Sequence, residues 1–247
     1  MTDTPKPNGP LHGLRVVEMG QLIAGPFCGQ LLGDMGAEVV KIEPPGKGDP
    51  MREWGQGDKP AWWRVIGRNK YSVEVNLRTE EGQQLARDLI AEADVLVENF
   101  RPGALEKWGL DPLKLREANP GLIVARMSGY GQTGPYADRP GFGLIGEGFG
   151  GLRGITGEPD RMPSRVGISI GDTLDGKLCG GLFDERLHAD ANWRDIAEDC
   201  TIECLSVQGW GVPDRWQPES DLQATVRCDG TFGPCDGCTL RDAPGTR

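Results

Sequence analysis

Histidine is nearly missing from this chain: its 247 residues hold two, His12 and His188. A Ser-His-Asp triad therefore has few candidates, and no P-loop, H-E-x-x-H or G-x-S-x-G pattern occurs. No apolar run approaches the roughly 18 residues of a membrane span. The opening decapeptide MTDTPKPNGP lacks the basic and apolar regions of a secretory leader. These absences point to a soluble cytoplasmic protein with no membrane partner. An excess of positive charge is also lacking. The formal net charge is −10, which argues against a nucleic-acid partner, because phosphate affinity comes from clustered Lys and Arg. A local pocket for a small phosphorylated ligand remains compatible with it.

Scarcities also divide the chain. Cys28 alone precedes residue 179, and Cys179, Cys200, Cys204, Cys228, Cys235 and Cys238 follow. Every Met and Tyr lies before residue 164, and no lysine follows Lys177. We therefore read an α/β domain over 11–176 and an atypical, irregular tail over 177–247, in which the most structure expected is a short helix near 190–200.

The first segment alternates. LRVVEMG (14–20) reads as a buried strand, AGPFCGQLLGDMGA (24–37) as a helix closed near Gly36, and EVVKIEPP (38–45) as a second strand stopped by prolines. Strand, helix and strand within about 30 residues predict a right-handed βαβ unit and a parallel sheet. YSVEVNL (71–77), DVLVENF (94–100) and GLIVARMSGYG (121–131) read as further strands. Thr79 is placed to cap a helix running to about Ala93, and Asp111-Pro112 opens another that ends near Asn119. The fold class is thus α/β: a Rossmann-like, open, mainly parallel sheet with flanking helices. Ligands of such sheets sit beyond the carboxyl ends of the strands. There we place MGQLIAGP (19–26), VNLRTEEG (75–82), ENFRPG (98–103), MSGYGQTGPYADRPG (127–141) and GISIGDTLDG (167–176).

A dinucleotide site is the first idea, since Glu43 follows the first loop by about 20 residues. Gly20, Gly25 and Gly29 do not form G-x-G-x-x-G, however, and Pro26 occupies the turn. With histidine so scarce, the group left for covalent chemistry is a carboxylate, which can attack an activated acyl group. Asp172, at the end of an apolar run among glycines, has that character. It would equally serve as the N-cap of a helix beginning at Thr173.

Five stretches, in order, resemble one family: LRVVEMGQLIAGPFCGQLLGDMGAEVVKIEPPGKGDP, RNKYSVEVNLRTEEG, VLVENFRPGALEKWGL, SGYGQTGPYADRPGFG and GISIGDTLDG. From Leu11 to Gly176 the chain is similar to the first part of class III CoA-transferases (the CaiB/BaiF type). The resemblance implies transfer of CoA between an acyl-CoA and a carboxylic acid, through an acyl-aspartyl anhydride and an aspartyl-CoA thioester on Asp172. It also implies that Arg78, Lys107 and Arg139 meet the CoA phosphates. Asn99 and Phe100 would wall the pantetheine and adenine, and Ala24 would let backbone approach the thiol arm. CoA would then be a substrate, with no permanently bound cofactor and no metal.

The same fold serves α-methylacyl-CoA racemases, whose histidine follows the RPG of the glycine loop. Phe142 stands there instead, which favours the transferase. Family members are interlocked homodimers whose later half supplies a second glycine loop. After Gly176 we find no family motif, so a shifted reading frame, little or no turnover and a non-catalytic CoA-binding fragment are the corresponding expectations. A zinc module on Cys204, Cys228, Cys235 and Cys238 is a rival reading of the tail.

Overall fold

Alternation of short apolar strands with amphipathic helices gives a sheet whose central strands are buried on both faces. The computed structural model describes residues 9–55 and 61–177, and the backbone of 200–205 and 225–228. In chain order these form β1 (Arg15–Glu18), α1 (Ala24–Asp34), β2 (Glu38–Glu43), α2 (Ala61–Ile66), β3 (Lys70–Glu74), α3 (Glu80–Ala91) and β4 (Val95–Glu98). Next come α4 (Ala104–Lys107), α5 (Pro112–Ala118), β5 (Ile123–Ser128) and α6 (Gly143–Phe149). A further helix, α7, starts at 170 and is described to 177. β6 (Cys200–Leu205) and β7 (Thr225–Cys228) complete the set.

The sheet order is β3-β2-β1-β4-β5-β6-β7, parallel throughout except for the last pair. Pairing of β1 with both β2 and β4 reverses the winding direction there, so a crevice opens at the carboxyl ends of β1 and β4. Period-two alternation sends Val16, Val95 and Val97 to one face, beneath Cys28 and Leu32 of α1. Val17 and Leu96 go to the other, beneath Ala86 and Ile90 of α3.

The expected caps are present. The Thr79 hydroxyl accepts the Gly82 N–H at 3.2 Å, and Asp111 accepts that of Leu113 at 3.0 Å. Gly36, at φ +102°, takes the left-handed position that ends α1. Two expectations change. No strand leads directly into 167–176, and that stretch runs into α7 instead. Asp172 is therefore the third residue of a helix and not its N-cap: the Ser169 carbonyl already accepts the Thr173 N–H (3.1 Å) and hydroxyl (2.8 Å). Gly171 packs closely against Gly143, whereas a β-carbon at Gly167 would meet nothing within 4 Å. The helix expected near 190–200 lies outside the described residues except at Cys200, which is strand.

Candidate active site

At the crevice the β1–α1 loop meets the end of β4. Asn99 Oδ1 accepts the Gln21 N–H at 2.7 Å, and its Nδ2 donates to the Gln21 carbonyl at 2.8 Å. The Asn99 amide thus fixes the loop backbone at the end of β4. Phe100, the next residue, stacks edge-on against Trp108 with ring centroids 4.9 Å apart. That contact roots it in the core on the α3 side.

Beneath the same loop lies a cluster of buried charges. Glu18 and Lys41 pair directly across β1 and β2, on the face covered by α1. Lys41 Nζ donates to Glu18 Oε1 (2.6 Å) and to the Gly20 carbonyl (2.7 Å), and lies 2.9 Å from Asp49 Oδ2. Lys70 Nζ meets Glu18 Oε2 and the Pro26 carbonyl, each at 2.6 Å. Burial alone would lower the Lys41 pKa, but the carboxylates of Glu18 and Asp49 outweigh it and hold it above the ordinary value. Lys70 goes the other way, because burial and the neighbouring Lys41 charge prevail. Next in line, Glu43 receives Arg52 through two bonds of 2.7 Å, and the Ser72 hydroxyl and Asp49 N–H. Although burial opposes it, these donors hold the Glu43 carboxyl at about 2. The sequence reading missed this cluster. A Glu and a Lys at the buried phase of two adjacent strands were the available signal.

Asp172 faces the start of α6. It accepts the Gly143 N–H, and Gly143 leaves no space for a side chain: a β-carbon there would lie 2.6 Å from Asp172 Oδ2. A β-carbon on Gly171 would likewise lie 2.5 Å from the Gly143 carbonyl oxygen. One turn on, Gly176 packs against the Ala24 carbonyl, which joins α7 to the start of α1. Glycine is required at both contacts, because any larger residue would drive the helices apart. Burial raises the Asp172 carboxyl above its usual range. The Gly143 N–H and Arg165 oppose the rise, and Glu147 adds to it. Asp175, one turn along α7 and buried, is pushed up much further by burial and by the Asp172 charge. We expect Gly143→Ala to cost about 1–3 kcal/mol through overpacking and to displace the Asp172 carboxyl. Denaturant unfolding and the yield of covalent adduct on Asp172 would measure the two effects.

Glu147 lies one turn after Gly143 on α6. It is 2% exposed, and neither carboxylate oxygen has a hydrogen-bond partner among the described residues. Arg153 Nε (3.8 Å) and Arg165 Nε (3.9 Å) approach it, each on a different oxygen. These guanidinium groups are partly exposed, 32% and 53% by side chain.

The structure brings some of the sequence-predicted residues together and leaves others apart. Ala24, Asn99 and Asp172 belong to one connected set of contacts, through Gly176 and the loop. Arg78 is exposed after β3, Lys107 is exposed at the end of α4, and Arg139 lies over the Tyr136 ring at 4.1 Å. His12 sits in the turn before β1, beside Gly9, which packs on Met35 and Gly36 at the far end of α1. Among the described residues no histidine accompanies Asp172. His188, Cys235 and Cys238 lie outside them, and Cys204 and Cys228 are described only as strand backbone. Among the described residues no helix is long and apolar enough to cross a membrane.

Comparison with known proteins adds three findings. A family model, CoA-transferase family III, matches residues 11–181. Two similar curated proteins are the succinyl-CoA–D-citramalate CoA-transferase of Chloroflexus aurantiacus and the succinate–glutarate CoA-transferase of Agrobacterium fabrum. The first is 59% identical over 172 residues, covering 68% of this chain and 43% of the relative. The second is 43% identical over 185 residues, covering 71% and 46%. The chain thus spans about half the length of the curated relatives it matches. Among solved structures, a CaiB/BaiF family protein from Brucella suis superposes with a TM-score of 0.74 at 40% identity, covering 81% of this chain and 54% of that one.

Proposed function

The chain belongs to CoA-transferase family III, and from that membership we propose that it moves coenzyme A between an acyl-CoA and a carboxylic acid, with Asp172 as the nucleophile. The observation that carries this is the setting of Asp172: a carboxylate with a raised pKa, aimed at a backbone N–H and hemmed in by glycine. In the first step an Asp172 oxygen bonds to the thioester carbonyl carbon, and CoA leaves as thiolate. The thiolate then attacks the aspartyl carbonyl of the mixed anhydride, giving aspartyl-CoA thioester and the released acid. The acceptor carboxylate attacks that thioester and expels the thiolate, which finally attacks the new acyl carbon and regenerates Asp172. Backbone N–H groups such as that of Gly143 stabilise the oxyanion at each addition. Trapping tests the scheme. Incubation with succinyl-CoA and hydroxylamine is expected to convert Asp172 to a hydroxamate, located by peptide mass spectrometry. An unmodified Asp172 beside a labelled residue elsewhere would overturn it.

The racemase alternative needs a base on each face of the α-carbon. Phe142, 67% exposed at the start of α6, supplies none. The named relatives act on succinate, citramalate and glutarate, all dicarboxylic acids. We extend that class to this chain's acceptor, with Arg165 and Arg153 as the cations for its distal carboxylate. Their support is their partial exposure, and approach distances to Glu147 that leave strong donors uncommitted. Arg165→Gln is then expected to raise KM for succinate roughly tenfold, the scale of one lost charge-assisted bond, with a smaller change for butyrate through the Asp172 carboxyl. An equal loss on both acids would exclude the assignment.

CoA as the mobile substrate, its phosphates near Arg78, Lys107 and Arg139, and a cytoplasmic homodimer complete the reading. Exposed apolar side chains on α6 and in the segment leading to α7, among them Phe142, Phe149, Met162 and Ile168, support burial of these elements in an assembly. Sedimentation equilibrium reads it directly, and a monomer at all concentrations would count against it.

A further inference from the structure

Leu22, in the loop between β1 and α1, has φ +64°, a left-handed backbone that large side chains rarely take. Among the described residues only Asn69 is another non-glycine residue with positive φ, and asparagine tolerates it. Something must hold Leu22 there. Asp49 Oδ1 accepts its N–H at 3.1 Å and that of Met51 at 2.8 Å, so one carboxylate oxygen ties the loop to the segment after β2. Lys41 grips the Gly20 carbonyl and the other Asp49 oxygen, while Asn99 takes both polar groups of Gln21. Three consecutive loop residues are therefore each pinned by a different side chain. Glu18, Lys41 and Asp49 are all at most 1% exposed.

Stability alone does not call for this arrangement, since well-packed apolar residues commonly match or exceed a buried ion pair. A charge cluster that converges on strained backbone at the mouth of a ligand crevice has a different use. We propose that Lys41 and Asp49 are positioning residues that hold the loop from Gly20 to Leu22, with Leu22 left-handed, in the conformation against which the pantetheine arm of CoA lies. This rests on the CoA-transfer reading above. Neither residue touches the reacting atoms. They act through the loop, whose following residue, Ile23, leads into Ala24 and the α7 contact.

The full chain with Asp49→Ala tests the proposal, alone and combined with Leu22→Gly. Two readouts are used: hydrogen exchange at the Leu22 amide, and calorimetric titration with CoA and with adenosine 3′,5′-bisphosphate, which lacks the pantetheine arm. In Asp49→Ala we expect faster Leu22 exchange and roughly tenfold weaker CoA binding, equivalent to one lost positioning contact. Affinity for the bisphosphate should hold. Adding Leu22→Gly should recover part of the CoA affinity, because glycine takes positive φ freely. Unchanged Leu22 exchange and CoA affinity would overturn the proposal. Parallel loss of both ligands would overturn it too, since that marks a purely structural role. If the parent chain binds neither ligand, the CoA reading fails, whereas slow Leu22 exchange lost in Asp49→Ala still supports the pinning of the loop.

Discussion

Asp172→Asn should abolish CoA transfer and leave the fold as stable as before, or more so. Loss of a covalent nucleophile lowers turnover by about a thousandfold or more, and the yield of covalent adduct at position 172 reads the same loss independently of the turnover rate. An amide of the same shape keeps its oxygen toward the Gly143 N–H. The stability sign follows from the direction of the pKa shift. Burial raises the Asp172 pKa, with Glu147 adding to it, so the native state disfavours the charged form. That penalty is fully present at pH values above the raised pKa and fades as pH falls through it toward the ordinary carboxylate range. Near neutral pH the neutral amide escapes it, so the variant gains stability, the usual trade of stability for function. Urea unfolding at pH 7 and at pH 4 measures this. The gain should shrink at the lower pH. Turnover should also fall in acid, as Asp172 takes up its proton. A variant that loses activity and stability together would mark Asp172 as a packing residue.

The second large effect is expected from Lys41→Met. The substitution keeps the length of the side chain and removes the charge that faces Glu18 and Asp49, both essentially without solvent contact. Breaking a buried ion pair from one side typically costs about 3–5 kcal/mol, because the remaining charges have no partner. Lys70 still reaches Glu18, so Asp49 is the group left exposed to the full penalty. Adding Asp49→Asn to Lys41→Met should therefore recover a substantial share of the loss. Chemical denaturation of the two variants decides the point. A double variant as unstable as the single one would mean that packing around Lys41, and not charge, governs the site.

Much of this architecture was legible in the chain. The runs around Val16, Val39, Leu96 and Val124 carry strand periodicity, Thr79 and Asp111 announce their helices, and the order of elements implies parallel crossovers. Five ordered motifs pointed to the family and to Asp172. Less legible was what individual polar residues do. Nothing in the sequence shows that the Asn99 amide binds both backbone groups of Gln21. Asp172 looked like a helix cap, but it is inside the first turn of α7 and faces α6. Glu147, Arg153 and Arg165 carry no local pattern at all.

The division has a physical cause. Propensity, capping and alternation act over a few neighbouring residues, so the sequence by itself determined the strands, the helices and the α/β class. Charge compensation acts through space between residues far apart in the chain. Glu18 finds Lys41 and Lys70, and Asp49 reaches Leu22, only once parallel pairing aligns β1, β2 and β3. The approach of Gly143 to Asp172, and of Gly176 to Ala24, is likewise a property of packed helices. Tertiary structure alone decided which carboxylates are compensated, which backbone is strained and which arginines keep donors to spare.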